Sequence, residues 1–305
     1  MDIARALKEV AISGVRENYP LKEATTYKIG GPAEFFIETG FVSEIAAIVK
    51  FCALRGVPLT VLGAGSNVLA PDEGVSGVCL RVYDASANPS IENESIVSSG
   101  AVTDKSLAEF VAERGISGFE FLYDIPGTVG GAIVQNAGMN EHEVKNGILE
   151  ATIVNKKGEA VVFSGEEHRL GYRTSRLKEE WGIIVEAKFR IDLRDDPSAI
   201  FGRMKELKET RAGKFPMEYP NCGSVFKRPT GYYAGKLIQD AGLGGASVGG
   251  AMVSPKHRNF IVNTGGATAS DIKLLVERII SEVYAKFGVR LERELIYLES
   301  FPPPP

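Results

Sequence analysis

The segment LYDIPGTVGGAIVQNAG, Leu122 to Gly138, sets four glycines and a proline in an otherwise apolar run. It is too irregular for a helix and too rich in glycine for an ordinary core strand. Glycine is used where the chain takes positive φ or where another group must approach the main chain closely, and it costs backbone entropy. Gly127, Gly130, Gly131 and Gly138 therefore predict a binding wall, although a buried connection with tight turns fits the same residues.

A second stretch, PLTVLGAGSNVLAPDEG, Pro58 to Gly74, favours the wall. The apolar run Leu59 to Leu62 reads as a short buried strand that enters a turn of small residues, Gly63, Ala64, Gly65, Ser66 and Asn67. Successive bare backbone N–H groups at such a turn form a concave anion site, to which Ser66 and Asn67 add side-chain donors. Gly63 and Gly65 satisfy the first half of a G-x-G-x-x-G fingerprint, but the third position is Val68. Pro71 and Asp72–Glu73 follow too soon for the long helix a Rossmann site needs. Neither glycine cluster continues into Gly-Lys-Ser/Thr, which excludes a Walker A loop.

The chain has 305 residues, 44% hydrophobic and 24% charged, enough for two or three packed units. A net charge of −4 supplies no overall basic field, so neither nucleic acid nor an anionic membrane is expected as a partner. The start, MDIARALKEVAISGV, is amphipathic and lacks the basic flank and apolar block of a secretory signal; a cytoplasmic, monomeric protein is expected. Cys52, Cys79 and Cys222 are too few and too scattered for a disulfide framework or zinc ribbon. His142, His168 and His257 show no metal-ligand spacing and read as structural or surface residues. Trp181 reads as packing at a strand entrance.

Along the chain, a strand over Ala33 to Glu38, a helix over Ser43 to Arg55 capped by Ser43 and stopped by Gly56, and the Leu59 strand predict a β-α-β opening with the two strands in parallel. Gly77 to Val82 is a further strand, and DASANPSIENESI is a polar break near residue 85. A second unit carries a helix from Asp104 to about Arg114, the glycine wall, and strands over 148–155, 159–163 and 182–192, the first two joined by the NKKGE turn. A helix opens at DLRDDPSAI and runs to about Arg211, placing a domain boundary at 195/196. The expected division is 1–84, 85–195 and 196–305. In the last third, Ile272, Leu275, Val276, Ile279, Val283 and Phe287 form one helical stripe, with Ser270 as cap and Gly288 as stop. VRLERELIYLE reads as the closing strand, and the terminal prolines as a tail that joins no sheet.

Taken in order and spacing, TTYKIGGPAEFF, VLGAGSNVL, IPGTVGGAIVQNAG, YRTS, CGSVFKRP, AGKLIQDAGLGG and RLERELIYL resemble the UDP-N-acetylenolpyruvoylglucosamine reductases, the MurB family, across roughly Thr25 to Leu298. The resemblance implies an α+β fold: the FAD-binding fold of the vanillyl-alcohol-oxidase type, in two subdomains, with a C-terminal α+β substrate-binding domain. It implies that Gly63, Ala64, Gly65, Ser66 and Asn67 hold the FAD pyrophosphate. Gly127, Thr128, Gly130, Gly131, Asn136, Ala137 and Gly138 would then lie against the cofactor. VLGAGSNVLAP contains neither histidine nor cysteine, so the FAD is expected to be non-covalent. The stretch between Trp181 and Arg211 leaves no room for the extra substrate-capping loop of one subtype.

The family's chemistry is a two-stage relay: NADPH reduces FAD, and hydride then passes to the enolpyruvyl group to give UDP-N-acetylmuramate. Addition at C3 leaves carbanion character at C2, delocalised into the carboxylate, which calls for a cation at the carboxylate and a proton donor at C2. By resemblance Arg173 in YRTS holds the carboxylate, Ser224 in CGSVF protonates C2, and Glu294 in RLEREL assists at the carboxylate. From the residues alone, Arg173 is one arginine among Arg169 and Arg176. Cys222 rivals Ser224, and on a strand Glu292 points to the same face as Glu294. Lys214 in KFP, Tyr172 and Arg228 are the expected substrate contacts. Two other functions fit the glycine loops: a flavin-dependent oxidase of the same fold acting on a small alcohol or sugar, and a non-catalytic nucleotide-sensing module.

Overall fold

The computed structural model describes residues 3–139 and 141–298. The terminal proline tail lies outside them. Helix α1 (Ile3–Val10) leads into strands β1 (Arg16–Pro20) and β2 (Pro32–Thr39), helix α2 (Val42–Arg55), β3 (Leu59–Leu62) and β4 (Val75–Val82). The strand order is β1-β2-β4-β3, with β4 parallel to both β2 and β3. The two strands of the β-α-β opening are therefore parallel but not adjacent. Gly56 ends α2 in the left-handed conformation, as its position suggests. The start differs: Phe41, not Ser43, is the N-cap, and its side chain caps nothing. Thr39 Oγ1 instead accepts from the Phe41 N–H at 3.1 Å and donates to the buried Glu44 carboxylate at 2.6 Å.

A hairpin of β5 (Ser90–Glu92) and β6 (Ser95–Ser99) fills the polar break and joins a second, antiparallel sheet with β7 (Ile148–Asn155), β8 (Ala160–Ser164) and β9 (Gly182–Arg190). Helix α3 (Asp104–Ala112) packs on its core. The glycine wall contains a helix after all, α4 (Val129–Gln135), capped by the Thr128 hydroxyl. The glycines serve its packing: a Cβ on Gly130 would sit 3.1 Å from the Gly100 carbonyl oxygen and 3.3 Å from that of Ile184.

Helix α5 (Pro197–Lys214) buries Ile200 and Met204 in the second core. The 195/196 boundary is thus displaced, and the chain crosses to the third core after Lys214. That core forms around α6 (Ala234–Asp240), α7 (Ala269–Phe287) and a sheet of β10 (Ser247–Val248), β11 (Ala251–Val253) and β12 (Ile261–Asn263). Thr268 rather than Ser270 caps α7, in a reciprocal capping box with Asp271. Ser270 instead donates its hydroxyl to Asp72, whose carboxylate also takes the Ala269 and Ser270 N–H groups. The α7 stripe is buried except for Phe287, which is exposed. The expected closing strand shrinks to Ile296–Tyr297, parallel to Val68–Leu69, with an isolated bridge from Arg293 to Phe226. Tyr27 ties the first unit to the third: its buried hydroxyl donates to the Ile261 carbonyl at 3.1 Å, and Asn263 donates back to the Tyr27 carbonyl at 3.0 Å.

Candidate active site

The units meet at a cleft of about 1420 Å³, above the usual ~300–1,000 Å³ of a small-molecule pocket and large enough for a dinucleotide beside a second ligand. Its floor is the turn leaving β3. Gly65 has φ +70°, and a Cβ there would lie 2.0 Å from the Ala24 carbonyl oxygen, so no other residue fits without moving the backbone. The Thr26 N–H donates to the Gly65 carbonyl at 3.0 Å, the Arg81 Nε to the Gly63 carbonyl at 3.2 Å, and the Ile296 N–H to the Asn67 carbonyl at 3.1 Å. The turn is therefore held from three sides.

Facing it are Thr128, Gly127, Gly130, Gly131, Ala137 and Gly138, all lining the cleft together with Ala64, Ser66 and Asn67. Asn136 is the exception. Fully buried behind the wall in the left-handed conformation, it donates to the Gly171 carbonyl at 2.8 Å and accepts from the Lys145 N–H at 3.0 Å. It braces the loop that carries Arg173.

Arg173 itself is left-handed, φ +54°, a strained setting for a long side chain. Its guanidinium donates to the Gly138 carbonyl at 2.8 Å, and its Nε pairs with Glu294 Oε1 at 3.0 Å. Burial raises the Glu294 carboxyl, with Arg173 as the main opposing influence. The irregular backbone separates the two glutamates that strand alternation leaves together. Glu294 is 14% exposed on the cleft, whereas Glu292 is 72% exposed and pairs with Lys227.

Ser224 lines the same cleft one residue after the left-handed Gly223. Its rival Cys222 is buried, its thiol pushed up to about 12 chiefly by burial, which leaves it a poorer acid than an ordinary thiol. The Tyr172 hydroxyl accepts from the Arg228 N–H at 3.2 Å, and the Arg228 guanidinium lies 4.1 Å from the Tyr233 ring centre. Lys214 is exposed at the end of α5 and is not among the lining residues. One turn earlier Arg211 does line the cleft, fixed by Asp124 at 2.8 Å.

Two lining residues carry no signal of their own in the sequence. Gln135 donates to Glu294 at 3.4 Å while its Oε1 is buried without a partner. Lys178 donates to the Arg173 carbonyl at 2.8 Å, and burial, then Lys227, pushes its amine down to about 8. It sits five residues after Arg173, a spacing that marks nothing until the loop is folded.

A family model for the C-terminal domain of UDP-N-acetylenolpyruvoylglucosamine reductase matches residues 215–298, and one for an FAD binding domain matches 33–164. UDP-N-acetylenolpyruvoylglucosamine reductases of Lachnoclostridium phytofermentans and Exiguobacterium sibiricum are both 41% identical, over 94% and 96% of this chain and 93% and 96% of their own. The chain belongs to the MurB family. The MurB crystal structure from Thermus caldophilus superposes with a TM-score of 0.77 at 32% identity, over 93% of this chain and 98% of its own. The fold is accordingly the α+β FAD-binding fold expected from the sequence, followed by a C-terminal α+β unit. The MurB C-terminal match begins at Phe215, where the core packing also changes hands.

The residues present fit FAD. The cleft combines the turn of small residues Gly63–Asn67 with two buried orphans, Gln135 Oε1 and the Asp104 carboxyl, that a polar ligand would satisfy.

Proposed function

We propose that this chain is an NADPH-dependent FAD reductase that converts UDP-N-acetylenolpyruvoylglucosamine to UDP-N-acetylmuramate, a step of peptidoglycan precursor synthesis, with its chemistry at Arg173, Ser224 and Glu294. The observation that carries the site assignment is the Arg173–Glu294 pair, 3.0 Å apart, lining one cleft with Ser224 and the Gly63–Asn67 turn. A simple alcohol oxidase has no need of that combination. When bound, FAD supplies the hydride carrier between NADPH and the enolpyruvyl group.

The protein's own part is electrostatic and protonic. Arg173 holds the substrate carboxylate with a planar, permanently charged group, and its attraction grows as charge from C2 spreads into that carboxylate. Ser224 delivers the proton to C2. Glu294, whose carboxyl burial raises against the pull of Arg173, stands next to the developing charge and assists at the carboxylate. Tyr172 and Arg228, joined by a hydrogen bond, line the substrate side; Arg211 is better placed for the diphosphate than Lys214. One chain supplies every one of these residues, so a monomer suffices. A cytoplasmic setting agrees with three free, buried thiols; no described helix is long and apolar enough to cross a membrane.

The test is Ser224→Ala assayed anaerobically. We expect the flavin to bleach with NADPH at the wild-type rate and to recover on adding the enolpyruvyl sugar at least about 100-fold more slowly. An unchanged recovery would remove Ser224 from the chemistry.

A further inference from the structure

Asp104, the first residue of α3, is the most anomalous polar group among the described residues. It is 1% exposed, and neither carboxyl oxygen has a hydrogen-bond partner, although such groups in native proteins are almost always satisfied. It nonetheless lines the cleft. The chain makes room for it: a Cβ on Gly127 would lie 2.1 Å from Asp104 Oδ2, and the Asp104 N–H donates to the Gly127 carbonyl at 3.1 Å. The next residue, Thr128, abuts Gly63, where an added Cβ would come within 2.8 Å of its hydroxyl. The orphan therefore lies beside the seam where the glycine wall meets the anion-binding turn.

We propose that Asp104 is a cofactor-binding residue that presents its carboxyl in the neutral form and donates a hydrogen bond to an acceptor atom of FAD at this seam. The inference rests on the flavin reading of the cleft and deepens it. An ionised carboxylate beside a turn built for phosphate would repel the ligand, whereas a neutral carboxyl offers one donor. Burial alone pushes Asp104 up to about 8. Residues 100–103, 125–128 and α4 contain no titratable side chain; α3 also packs on the Glu120–Leu122 turn and on α5, where Glu120 and Arg203 pair with each other at 2.9 Å, and Lys105 lies over the Tyr123 ring. On its own helix Lys105 and Glu109 pair with each other at 3.6 Å.

The test is release of flavin from the holoenzyme on dilution, read by flavin fluorescence from pH 6 to 9, for wild type, Asp104→Asn and Asp104→Leu. A group titrating near 8 leaves about one molecule in ten neutral at pH 9, so the wild-type Kd should rise about tenfold between pH 7 and 9. Asp104→Asn keeps a donor that does not titrate and should hold a flat Kd near the wild-type low-pH value. Asp104→Leu removes the donor and should weaken binding roughly tenfold at every pH. If the leucine variant does not fold, the wild-type and asparagine profiles still decide. Matching pH profiles in wild type and Asp104→Asn, flat or sloping, would overturn the proposal while leaving the flavin site intact. A wild-type protein that carries no flavin at any pH would overturn both.

Discussion

The two halves of the cleft are built from different materials. The half proposed to hold the cofactor, Gly63–Asn67 and Gly127–Gly138, is mainly backbone: its shape comes from a left-handed glycine against Ala24 and from a helix packed through glycine onto Gly100. The half proposed for catalysis is side chain on mostly irregular backbone, with Arg173 and Lys178 of one loop, Glu294, and Gln135 at the end of α4 brought together from three segments and held by one another. A shape made of bare backbone tolerates no added atom. A shape made of mutual hydrogen bonds tolerates a change of volume but not the loss of a partner.

Breaking the backbone half should have the largest effect. Gly65→Val combines overlap with the Ala24 carbonyl and positive φ for a β-branched residue, and should cost about 3 kcal/mol or more. Thermal unfolding and flavin content of the purified protein would both show it, and a holoprotein of wild-type stability would mean that the turn is softer than drawn. On the side-chain half, Arg173→Lys keeps the charge but loses the fork between Gly138 and Glu294. We expect kcat to fall at least about 100-fold with flavin content unchanged. Loss of flavin instead would merge the two halves.

Asp104 lies within the cofactor half, at the seam between its two segments, and gives a pH signature. Its folded pKa, about 8, lies above the unfolded carboxylate value near 4. The folded state thus retains a proton that the unfolded chain releases, and stability falls with rising pH between those limits, by up to about 1.4 kcal/mol per pH unit. In the flavin-free protein, Asp104→Asn should flatten that slope, gaining Tm over wild type at pH 8 and not at pH 4. The smallest effect should come from Lys214→Ala. The residue is exposed outside the cleft, so we expect stability within about 0.5 kcal/mol of wild type and a KM change of less than about threefold, against a larger one for Arg211→Ala.

The same contrast explains what the sequence could disclose. Elements specified by local pattern were readable: Leu59–Leu62 and Ile148–Asn155 follow from their apolar runs, and Gly56 and Gly288 stop their helices. Where tertiary contact overrides local preference, the pattern misleads. α4 is helical despite Gly130 and Gly131, and it is Gly130 that lets it press against Gly100. Ser43 and Ser270 look like caps, but Thr39 and Thr268 sit where the hydroxyl is needed. Glu292 and Glu294 are alike on paper, and only the departure from strand geometry after Leu291 turns one to solvent and the other to Arg173. Lys178 and Asp104 become notable only through partners, or their absence, that folding creates.

The most direct measurement is anaerobic stopped-flow spectroscopy of the flavin in wild type and Glu294→Gln, following bleaching by NADPH and then recovery on adding UDP-N-acetylenolpyruvoylglucosamine. We expect both proteins to bleach at similar rates, wild type to recover rapidly, and Glu294→Gln to recover at least about 100-fold more slowly. Equal slowing of both steps, or recovery at the wild-type rate, would contradict a catalytic half that acts on the substrate apart from the wall that holds the cofactor.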